Sequence, residues 1–434
     1  MTNKSMDVVT GVDEAEGLVP KLRFPEFRDA GSWAIKPLSA LAKRQSKRNS
    51  DHSIVRVLTN SAEYGVVDQK DFFEKDIAVQ GNLDTYFIVQ HGDYVYNPRI
   101  SILAPVGPIG KNNVGTGVMS PLYTVFRFSA DDDRFYEHYF RSTYWHGYLR
   151  HASNSGARHD RMAISNEAFM AMSLPAPSTL EQQKIADCLS SLDTLIAAVG
   201  KRLAALKNHK KGLMQQLFPR PERTEDGITH PPEPTPRIRF PEFRDAGKWT
   251  EQRLSDKVEL ISGLHLSPDE YDDVGDLPYF SGPADFTDNV ADVGKWTNKR
   301  GNAALAGDIV IVVKGSGVGD FWRLALPSAA IGRQLMAIRA PAETSGFLYH
   351  ALSRTASHLK SRASGNLIPG LARPDILEMK VAFPPTHEEQ ETISKCLTEV
   401  DTLIDDTCDK IETLKAHKSG LMQQLFLAPL EANA

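Results

Sequence analysis

The sequence predicts a mixed α/β fold in which two globular domains alternate with two long helices that pair antiparallel. Three observations predict this architecture: peptides that occur twice in the same order, a variable stretch of domain size inside each copy, and a leucine-rich helical pattern after each stretch. At 434 residues the chain is also too long for one ordinary domain. We therefore expect an internal repeat with an approximate two-fold axis.

Each copy of the repeat begins with a leading segment. PKLRFPEFRDAGSW at residues 20–33 matches PRIRFPEFRDAGKW at residues 236–249. Each copy ends with a helical tail. The matching tail peptides are STLEQQKIADCLSSLDTLI at 178–196 with THEEQETISKCLTEVDTLI at 386–404, and LKNHKKGLMQQLF at 206–218 with LKAHKSGLMQQLF at 414–426.

Between the repeated peptides lie variable bodies of about 140 and 130 residues, each large enough for a domain. The peptide PRPERTEDGITHPPEPTP joins the two copies, and its prolines, charges and lack of apolar period indicate a linker. The predicted boundaries are a disordered tail at 1–19, a first domain with its leading segment at 20–173, a first helix at 174–218, a linker at 219–235, a second domain at 236–382, a second helix at 383–427 and a C-terminal tail at 428–434.

Apolar residues in both tails follow the alternating four-three spacing of a coiled-coil seam. The seam positions are Leu189, Leu192, Ile196, Val199, Leu203 and Leu206 in the first helix and Leu397, Val400, Ile404, Ile411 and Leu414 in the second. Thr407 replaces an apolar residue, and Lys210 and Lys418 interrupt the seam at matching places. The matched lysines indicate either a register device or a local exit from the seam.

The sequence also indicates where the two long helices begin and where they could end. Ser178 and Thr386 lie where N-caps belong, with Glu or Gln in the next turn. Because glycine costs roughly 1 kcal/mol inside a helix, Gly212 and Gly420 favour a bend or an early helix end.

The seams favour pairing of the two helices over packing of each helix on its own domain. Each helix of about 40 residues is ~60 Å long at 1.5 Å per residue. Parallel helices would stretch a linker of about 18 residues to its limit, whereas antiparallel helices bring its two ends together. We therefore expect an antiparallel rod with a domain at each end.

Composition excludes several classes of protein. The N-terminal peptide has no apolar run of signal-peptide length, and the longest aliphatic stretch, 309–313, is too short to span a bilayer, so we expect a cytoplasmic protein. Cys188, Cys396 and Cys408 have no disulfide or zinc spacing and are expected to be packed thiols. A net charge of −5 implies that any DNA binding is local or shared with a partner.

Both bodies contain basic residues that could contact DNA. A strand-like run follows a Gly-Asp turn in each body, and a basic loop of small residues follows an aromatic or apolar helix. Arginine and lysine can pair with guanine, and asparagine with adenine. The candidates are Lys43, Arg44, Lys47, Arg48, Arg150, Asn154, Arg158 and Arg161 in the first body and Lys314, Lys360, Arg362, Asn366 and Arg373 in the second. For each residue, a solvated surface turn is the alternative interpretation.

Catalytic signals are weak. GSGVGD at 315–320 lacks the Lys-Ser/Thr of a phosphate loop and the spacing of a dinucleotide fingerprint, and it is typical of a hairpin turn. NPRI at 97–100 lacks most of an adenine-methyltransferase tetrapeptide. We therefore expect no catalytic residues, no metal and no cofactor in this chain.

The doubled RFPEFRDAG leading segments and the doubled DTLI and GLMQQLF tails closely resemble the specificity subunit of Type I restriction-modification systems. The resemblance covers the chain after roughly the first 18 residues. It implies two target recognition domains, each of which reads one half of a split sequence in double-stranded DNA. It also implies that the helices form an antiparallel spacer and dock two modification subunits, which carry S-adenosylmethionine and methylate adenine in a bacterial or archaeal cytoplasm. Restriction subunits with motor and nuclease activity can join such a complex.

Two copies of one partner require two equivalent surfaces, which explains why the repeated peptides stay alike while the bodies differ. Two other interpretations stay open at this point: a self-sufficient DNA methyltransferase or nuclease, and a coiled-coil scaffold that does not bind DNA. The sequence does not specify the DNA target, its spacer length or the half read by each domain.

Overall fold

The structure is a computed structural model that describes residues 18–72, 83–153, 160–220, 222–225, 228–299, 301–315, 317–363 and 370–427. The predicted N-terminal tail lies outside these residues apart from 18 and 19, as does 428–434. The chain divides into two compact units: the first unit is Met1–Ala198 with Ile411–Ala434, and the second unit is Val199–Lys410. Each unit therefore contains one domain and parts of both long helices. The first unit holds the start of the first helix and the end of the second, and the second unit holds the end of the first helix and the start of the second.

In chain order, the first half of the sequence forms β1 (Ala34–Pro37), α1 (Leu38–Leu41), β2 (Ala42–Gln45), β3 (Leu58–Ser61), β4 (Gly65–Asp68), α2 (Gln69–Phe72), β5 (Phe87–Val89), β6 (Tyr94–Tyr96), β7 (Ile109–Lys111), β8 (Gly117–Met119), β9 (Thr124–Phe128), α3 (Arg134–Phe140), α4 (His146–Ala152), α5 (Asn166–Met170), β10 (Ser173–Ala176) and α6 (Thr179–Gln216). The leading segment contributes a 3-10 turn at Pro25–Phe27.

The second half forms β11 (Arg223–Glu225), β12 (Ile228–His230), β13 (Thr250–Arg253), β14 (Glu259–Ser262), β15 (Leu277–Phe280), β16 (Trp296–Thr297), β17 (Ala303–Leu305), β18 (Ile309–Val312), β19 (Phe321–Arg323), β20 (Ser328–Ile331), β21 (Leu335–Arg339), α7 (Ala342–Ser353), α8 (Ala356–Ala363), α9 (Arg373–Leu377), β22 (Lys380–Phe383) and α10 (His387–Leu425). The matching 3-10 turn of the second leading segment is Pro241–Phe243. The predicted linker contains the short β11–β12 hairpin.

The two domains share a central antiparallel sheet although their sequences differ. Its strand order is β2-β9-β6-β7 in the first domain and β14-β21-β18-β19 in the second. The strand-like runs predicted after the Gly-Asp turns are β6 and β18, and both are fully buried. A second antiparallel pair, β1–β10 or β13–β22, joins the start of each body to its end. The predicted mixed α/β fold is confirmed, and the repeat extends into the variable bodies at the level of topology.

The long helices begin where the sequence predicts. The backbone NH of Glu181 donates to Ser178 Oγ at 3.3 Å, and that of Glu389 donates to Thr386 Oγ1 at 3.3 Å, so both N-caps are confirmed. Of the two alternatives predicted at the glycines, the early helix end is wrong, because α6 continues through Gly212 and α10 through Gly420. The bend stays a prediction.

The physical reason for these uninterrupted helices is burial at their C-terminal ends. Leu217 and Phe218, which follow α6, are buried in the core of the second domain. Leu425 and Phe426 at the end of α10 are buried in the core of the first. Burying each such side chain contributes about 1.5–3 kcal/mol, which exceeds the roughly 1 kcal/mol cost of one helical glycine.

The helix segments run antiparallel within each unit. In the first unit, Ile185 and Leu189 near the start of α6 share a core with Leu425 at the end of α10. Further along, Asp193 of α6 accepts a hydrogen bond from Lys418 of α10 at 2.5 Å. The second unit repeats the arrangement, because Leu397 packs in the core with Leu217 while Lys210 donates to Asp401.

These two ion pairs explain the matched lysines. Each lysine of one helix forms an ion pair with the aspartate of the DTLI peptide in the other helix, which favours a register device over a local exit from the seam.

The apolar seam residues are least exposed near the domains. Leu189, Leu397, Val400 and Ile404 are buried, while Leu192, Ile196, Val199, Leu203, Leu206, Ile411 and Leu414 are half-buried. Thr407 is also buried, and its hydroxyl donates to the Leu403 carbonyl in the preceding turn. The three cysteines are half-buried free thiols.

A histidine lies beside each ion pair. His138 of α3 is 3.0 Å from Ser190 Oγ through Nε2 and 3.9 Å from Asp193 through Nδ1. Burial lowers the pKa of His138 to about 4, and the nearby cations Lys418, Arg141 and Arg134 add to this effect while Asp193 opposes it.

His350 of α7 repeats the arrangement in the second unit. Its Nε2 is 3.3 Å from Thr398 Oγ1 and its Nδ1 is 3.9 Å from Asp401. Burial again lowers the pKa to about 4; Asp401 opposes this shift, and Lys210 and Arg323 reinforce it.

Both histidines should make the protein less stable as the pH falls from about 6.5 to about 4. The unfolded chain takes up these protons near the ordinary histidine pKa, whereas the folded chain resists until about pH 4. Each histidine then lowers the free energy of unfolding by up to about 1.4 kcal/mol per pH unit in that window. Urea unfolding at pH 7, 6 and 5 measures the slope.

The substitution His138→Gln should reduce that pH slope, because the amide keeps a polar contact with Ser190 but does not titrate. The control is His417→Gln on the exposed face of α10. Equal slopes for the two variants would contradict the assignment.

Candidate nucleic-acid interface

The Gly-Asp turn before each central strand is a structural element. Gly92 and Gly307 have φ of +88° and +86°, in the region that favours glycine. The buried Asp93 carboxylate accepts from Arg127 Nε at 2.6 Å and from the backbone NH of Gln90 at 2.7 Å. Since both of its oxygens accept hydrogen bonds, this aspartate orients the strand.

The second domain repeats the buried pair. Asp308 accepts from Arg339 Nη2 at 2.7 Å and from the backbone NH of Leu305 at 2.8 Å. Both domains therefore present the end of the central strand in the same way.

At that end, each domain pairs the strand with the far side of its basic loop. Arg99 forms an antiparallel bridge with Arg161, and Lys314 forms one with Gly370. In the first domain the Ile100 NH donates to the Asp160 carbonyl at 3.0 Å, and Met162 donates to Pro98 at 2.9 Å. The pairing brings two arginines of distant sequence together. We call this place, where the central strand meets the basic loop, the strand-end site.

A cavity of about 400 Å³ opens beside the strand-end site of the first domain. Its walls include Asn97, Arg99, Ser101, Tyr123 and Arg161. The wall is ordered by side-chain contacts, because Asn97 Nδ2 donates to the Asn60 carbonyl at 2.9 Å. Arginine guanidinium groups, amides and hydroxyls are the groups that proteins use on phosphates and base edges.

The other candidates of the first domain are largely exposed. Lys43 and Arg44 lie on β2, and Lys47 and Arg48 follow it. The Arg44 guanidinium is 5.9 Å from the centre of the Phe87 ring. Arg150 is exposed on α4, Arg161 is half-buried at the strand-end site, and Asn154 and Arg158 lie outside the described residues. DNA contact by these residues stays a prediction.

The candidates of the second domain have more internal contacts. Lys314 lies at the strand-end site. Lys360 forms an ion pair with Asp320 at 2.6 Å. Arg373 donates to Ser262 Oγ and to the Leu260 carbonyl, both at 2.9 Å, so two of its donors hold the fold. Asn366 and the side chain of Arg362 lie outside the described residues. Their contact with DNA also stays a prediction.

Sequence reasoning missed Arg99, which lies in the same position as Lys314. Aligning the two bodies on their Gly-Asp turns would have identified it, because each residue follows the turn by the same number of positions. It also missed Ile102 and Leu103, two exposed apolar residues next to the strand-end site. A short apolar run carries no signal for exposure, since such runs usually belong to a core.

The repeated leading segment has a defined structural role. Arg23 forms two hydrogen bonds with Glu181, at 2.7 and 2.8 Å, and its Nη1 donates to the Gly31 carbonyl at 2.6 Å. Both charged side chains are almost completely buried. This bidentate pair fixes the leading segment on the first turn of α6.

The second copy forms the same contacts. Arg239 bonds to Glu389 at 2.7 and 2.6 Å, and its Nη1 donates to the Gly247 carbonyl at 2.7 Å. The Trp249 indole NH adds a bond of 3.3 Å to Glu389. The buried Trp33 Nε1 of the first copy has no such partner among the described residues. The contacts shared by both helix starts are therefore those of the arginine and the glycine.

Neither a metal site nor a membrane-spanning helix occurs in the described part of the chain. No group of His, Cys, Asp and Glu there could hold a metal ion. No helix within those residues is both long and apolar enough to cross a membrane.

Comparisons with known proteins agree with this architecture. Residues 246–416 match the family model for the Type I restriction modification DNA specificity domain. A putative type I restriction enzyme specificity subunit of Methanocaldococcus jannaschii, MjaX, is 27% identical over 270 residues, which are 62% of this chain and 61% of that protein. The resemblance to Type I specificity subunits is confirmed.

A second specificity subunit from the same archaeon, MjaVIII, is 25% identical over 288 residues, covering 61% of this chain and 63% of that subunit. The alignments therefore span less than two thirds of these specificity subunits. The crystal structure of a Type I restriction-modification S subunit from M. genitalium has a TM-score of 0.59 and 14% identity, covering 94% of this chain and 99% of that one. At this identity, the likeness to that S subunit shows the fold.

Breaking the buried pair of the leading segment should destabilise the second domain strongly. We expect Glu389→Gln to lower the free energy of unfolding by about 3 kcal/mol, because it leaves the Arg239 charge buried without a carboxylate. Urea unfolding measures the change. Glu242→Gln is the matched control, since Glu242 is exposed in the same leading segment and should change stability by less than about 0.5 kcal/mol. Similar losses for both variants would contradict the role of the pair.

Proposed function

We propose that the chain is the DNA sequence-specificity subunit of a Type I restriction-modification complex and has no catalytic role of its own. The observation that carries this proposal is the contrast within the repeat. The contacts that fix each domain to its helix are the same in both copies, whereas the residues around the strand-end sites differ. A subunit that reads two different half-sites for two identical partners needs this combination.

Each domain reads one half of a bipartite target in double-stranded DNA. In the first domain, Arg99 and Arg161 line the cavity at the end of the central strand. In the second, Lys314 lies at the equivalent end. Arginine and lysine contacts to base edges and phosphates would give each domain its own sequence preference.

The long helices set the distance between the two half-sites. The antiparallel contacts within each unit, including Lys418 with Asp193 and Lys210 with Asp401, support a fixed register between α6 and α10. Since a helix rises 1.5 Å per residue, helix length would translate directly into base pairs of DNA.

The partners are two copies of a modification subunit that methylates adenine with S-adenosylmethionine, in the cytoplasm of a bacterium or archaeon. Restriction subunits with motor and nuclease activity can join them. The chain has a net charge of −5, so positively charged partners would supply much of the neutralisation of the DNA phosphates.

Mapping of methylated adenines tests the proposal. In a genome that encodes this chain and its modification subunit, we expect a two-part motif with a constant gap and one methylated adenine in each part. Exchange of residues 250–381 for another recognition body should change one part only. Changes in both parts would contradict modular reading, and methyl transfer by the purified chain alone would contradict the absence of a catalytic role.

Helix length tests the spacing role separately. One matched heptad inserted in both α6 and α10 adds ~10 Å, so the gap between the methylated adenines should grow by about 3 base pairs at 3.4 Å each. The control is insertion of the same seven residues in the linker at 219–235, which should leave the gap unchanged. An unchanged gap in the helix variant would exclude the spacing role.

A further inference from the structure

Two adjacent apolar residues are exposed at the tip of a loop in the first unit. Ile102 is 100% exposed and Leu103 is 68% exposed. Single exposed apolar residues are ordinary on protein surfaces. Two neighbours at one loop tip, beside the cavity of the strand-end site, are a feature that the packing of the domain does not explain.

Hydrogen bonds at the base of the loop and buried residues after it fix its conformation. Ser101 and Ala104 exchange backbone hydrogen bonds of 3.0 and 3.2 Å across the tip, and Ser101 Oγ accepts a further bond from the Ala104 NH at 3.1 Å. On its C-terminal side, Ala104 and Val106 are buried, and the Tyr96 hydroxyl donates to the Val106 carbonyl at 2.9 Å. These anchors prevent the tip from folding back into the core, so both apolar side chains stay presented to solvent.

Positive charge flanks the tip. Ser101 at its base lines the same cavity as Arg99 and Arg161. The backbone NH of Ile100 bonds to the Asp160 carbonyl, which places the tip next to the strand-end site. The Asp160 carboxylate is 3.5 Å from Arg161 and so offsets one of the two positive charges. An apolar tip with cations beside it is complementary to a base stack between phosphates.

We propose that Ile102 and Leu103 form an apolar wedge that inserts between base pairs of the half-site read by the first unit. The inference rests on the proposed function. Side chains such as isoleucine and leucine unstack base steps and bend the duplex when they insert from the minor groove. The partner is therefore double-stranded DNA, with Arg99 and Arg161 on the phosphates or base edges next to the opened step.

The second unit has no equivalent tip among its described residues. The chain after Lys314 instead forms the hairpin between β18 and β19, in which Val318 is buried. The hairpin that the sequence predicted for this segment is thus confirmed. The wedge should therefore distort one half-site and leave the other half-site stacked.

The experiment uses the full chain in complex with its modification subunit and a duplex that carries the motif mapped by methylation. 2-Aminopurine placed at successive steps of each half-site reports unstacking through its fluorescence. We expect the wild-type complex to raise fluorescence in the half-site of the first unit, and the double variant I102A/L103A to abolish this rise. Affinity for the motif should fall about 10-fold, with little change for a scrambled duplex of equal length.

The matched control is Val274→Ala, which truncates a 77% exposed apolar residue in the second unit and should leave the fluorescence rise intact. Equal thermal unfolding of the three proteins confirms that the exposed substitutions preserve the fold. Unstacking by the double variant at the wild-type level would overturn the wedge. So would loss of binding to the modification subunit without DNA, which would identify the tip as a protein-docking surface. A wild-type complex that methylates no bipartite motif would instead overturn the proposed function.

Discussion

The bidentate pair between a leading-segment arginine and the third residue of a long helix fixes each domain on its helix. Burial of two opposite charges is tolerated only when their remaining donors and acceptors are also satisfied. Here the arginine Nη1 donates to a glycine carbonyl in both copies, and Gly31 and Gly247 have positive φ values that turn the chain back towards the guanidinium. One ion pair thus requires the arginine, the glycine and a glutamate some 150 residues away, as for Arg23 with Glu181 or Arg239 with Glu389. The start of each long helix depends on this ion pair, because the backbone NH of the same glutamate also donates to the N-cap hydroxyl.

Comparison of the two copies distinguishes identical residues that pack in the interior from identical residues whose identity packing does not explain. Glu26, Arg28 and Asp29 of the first leading segment are exposed, and their counterparts in the second segment are identical and exposed as well. Leu195 and Leu403 are likewise matched, and each is 43% exposed. Glu26 forms an ion pair with Lys184 at 2.9 Å, but the corresponding residue of the second helix is Thr392. Among the described residues, no contact common to both copies therefore requires these side chains to be the same. Two identical surfaces are what two copies of one partner subunit would bind, and this agrees with the docking role proposed for the repeated segments.

Sequence periodicity predicted the elements that depend on local spacing. The N-caps at Ser178 and Thr386 and the antiparallel pairing of the seams follow from residues close in sequence or from the length of the linker. Local spacing did not predict that α6 continues past Gly212, because this continuation depends on burial of the following residues in a core that is distant in sequence. The strand-end site was predicted only in part for the same reason: the bridge of Arg99 to Arg161 joins segments that no periodic pattern connects. Exposure of Ile102 and Leu103 depends on tertiary packing of the loop below them.

The two domains differ at the strand-end sites and agree in the charges buried beneath them. Asp93 with Arg127 and Asp308 with Arg339 are the same pair at the same turn. Each aspartate directly precedes the strand that leads to the site, and each arginine lies on the neighbouring strand, β9 or β21. Since the buried pair orients the strand, side chains beyond its end can change without loss of the turn. The chain forms an exposed loop after Arg99 and a hairpin after Lys314, although both segments leave the same strand of the central sheet. Stability therefore resides in the repeated contacts, and recognition of DNA can diverge between the two domains because it uses residues that contribute little to the core.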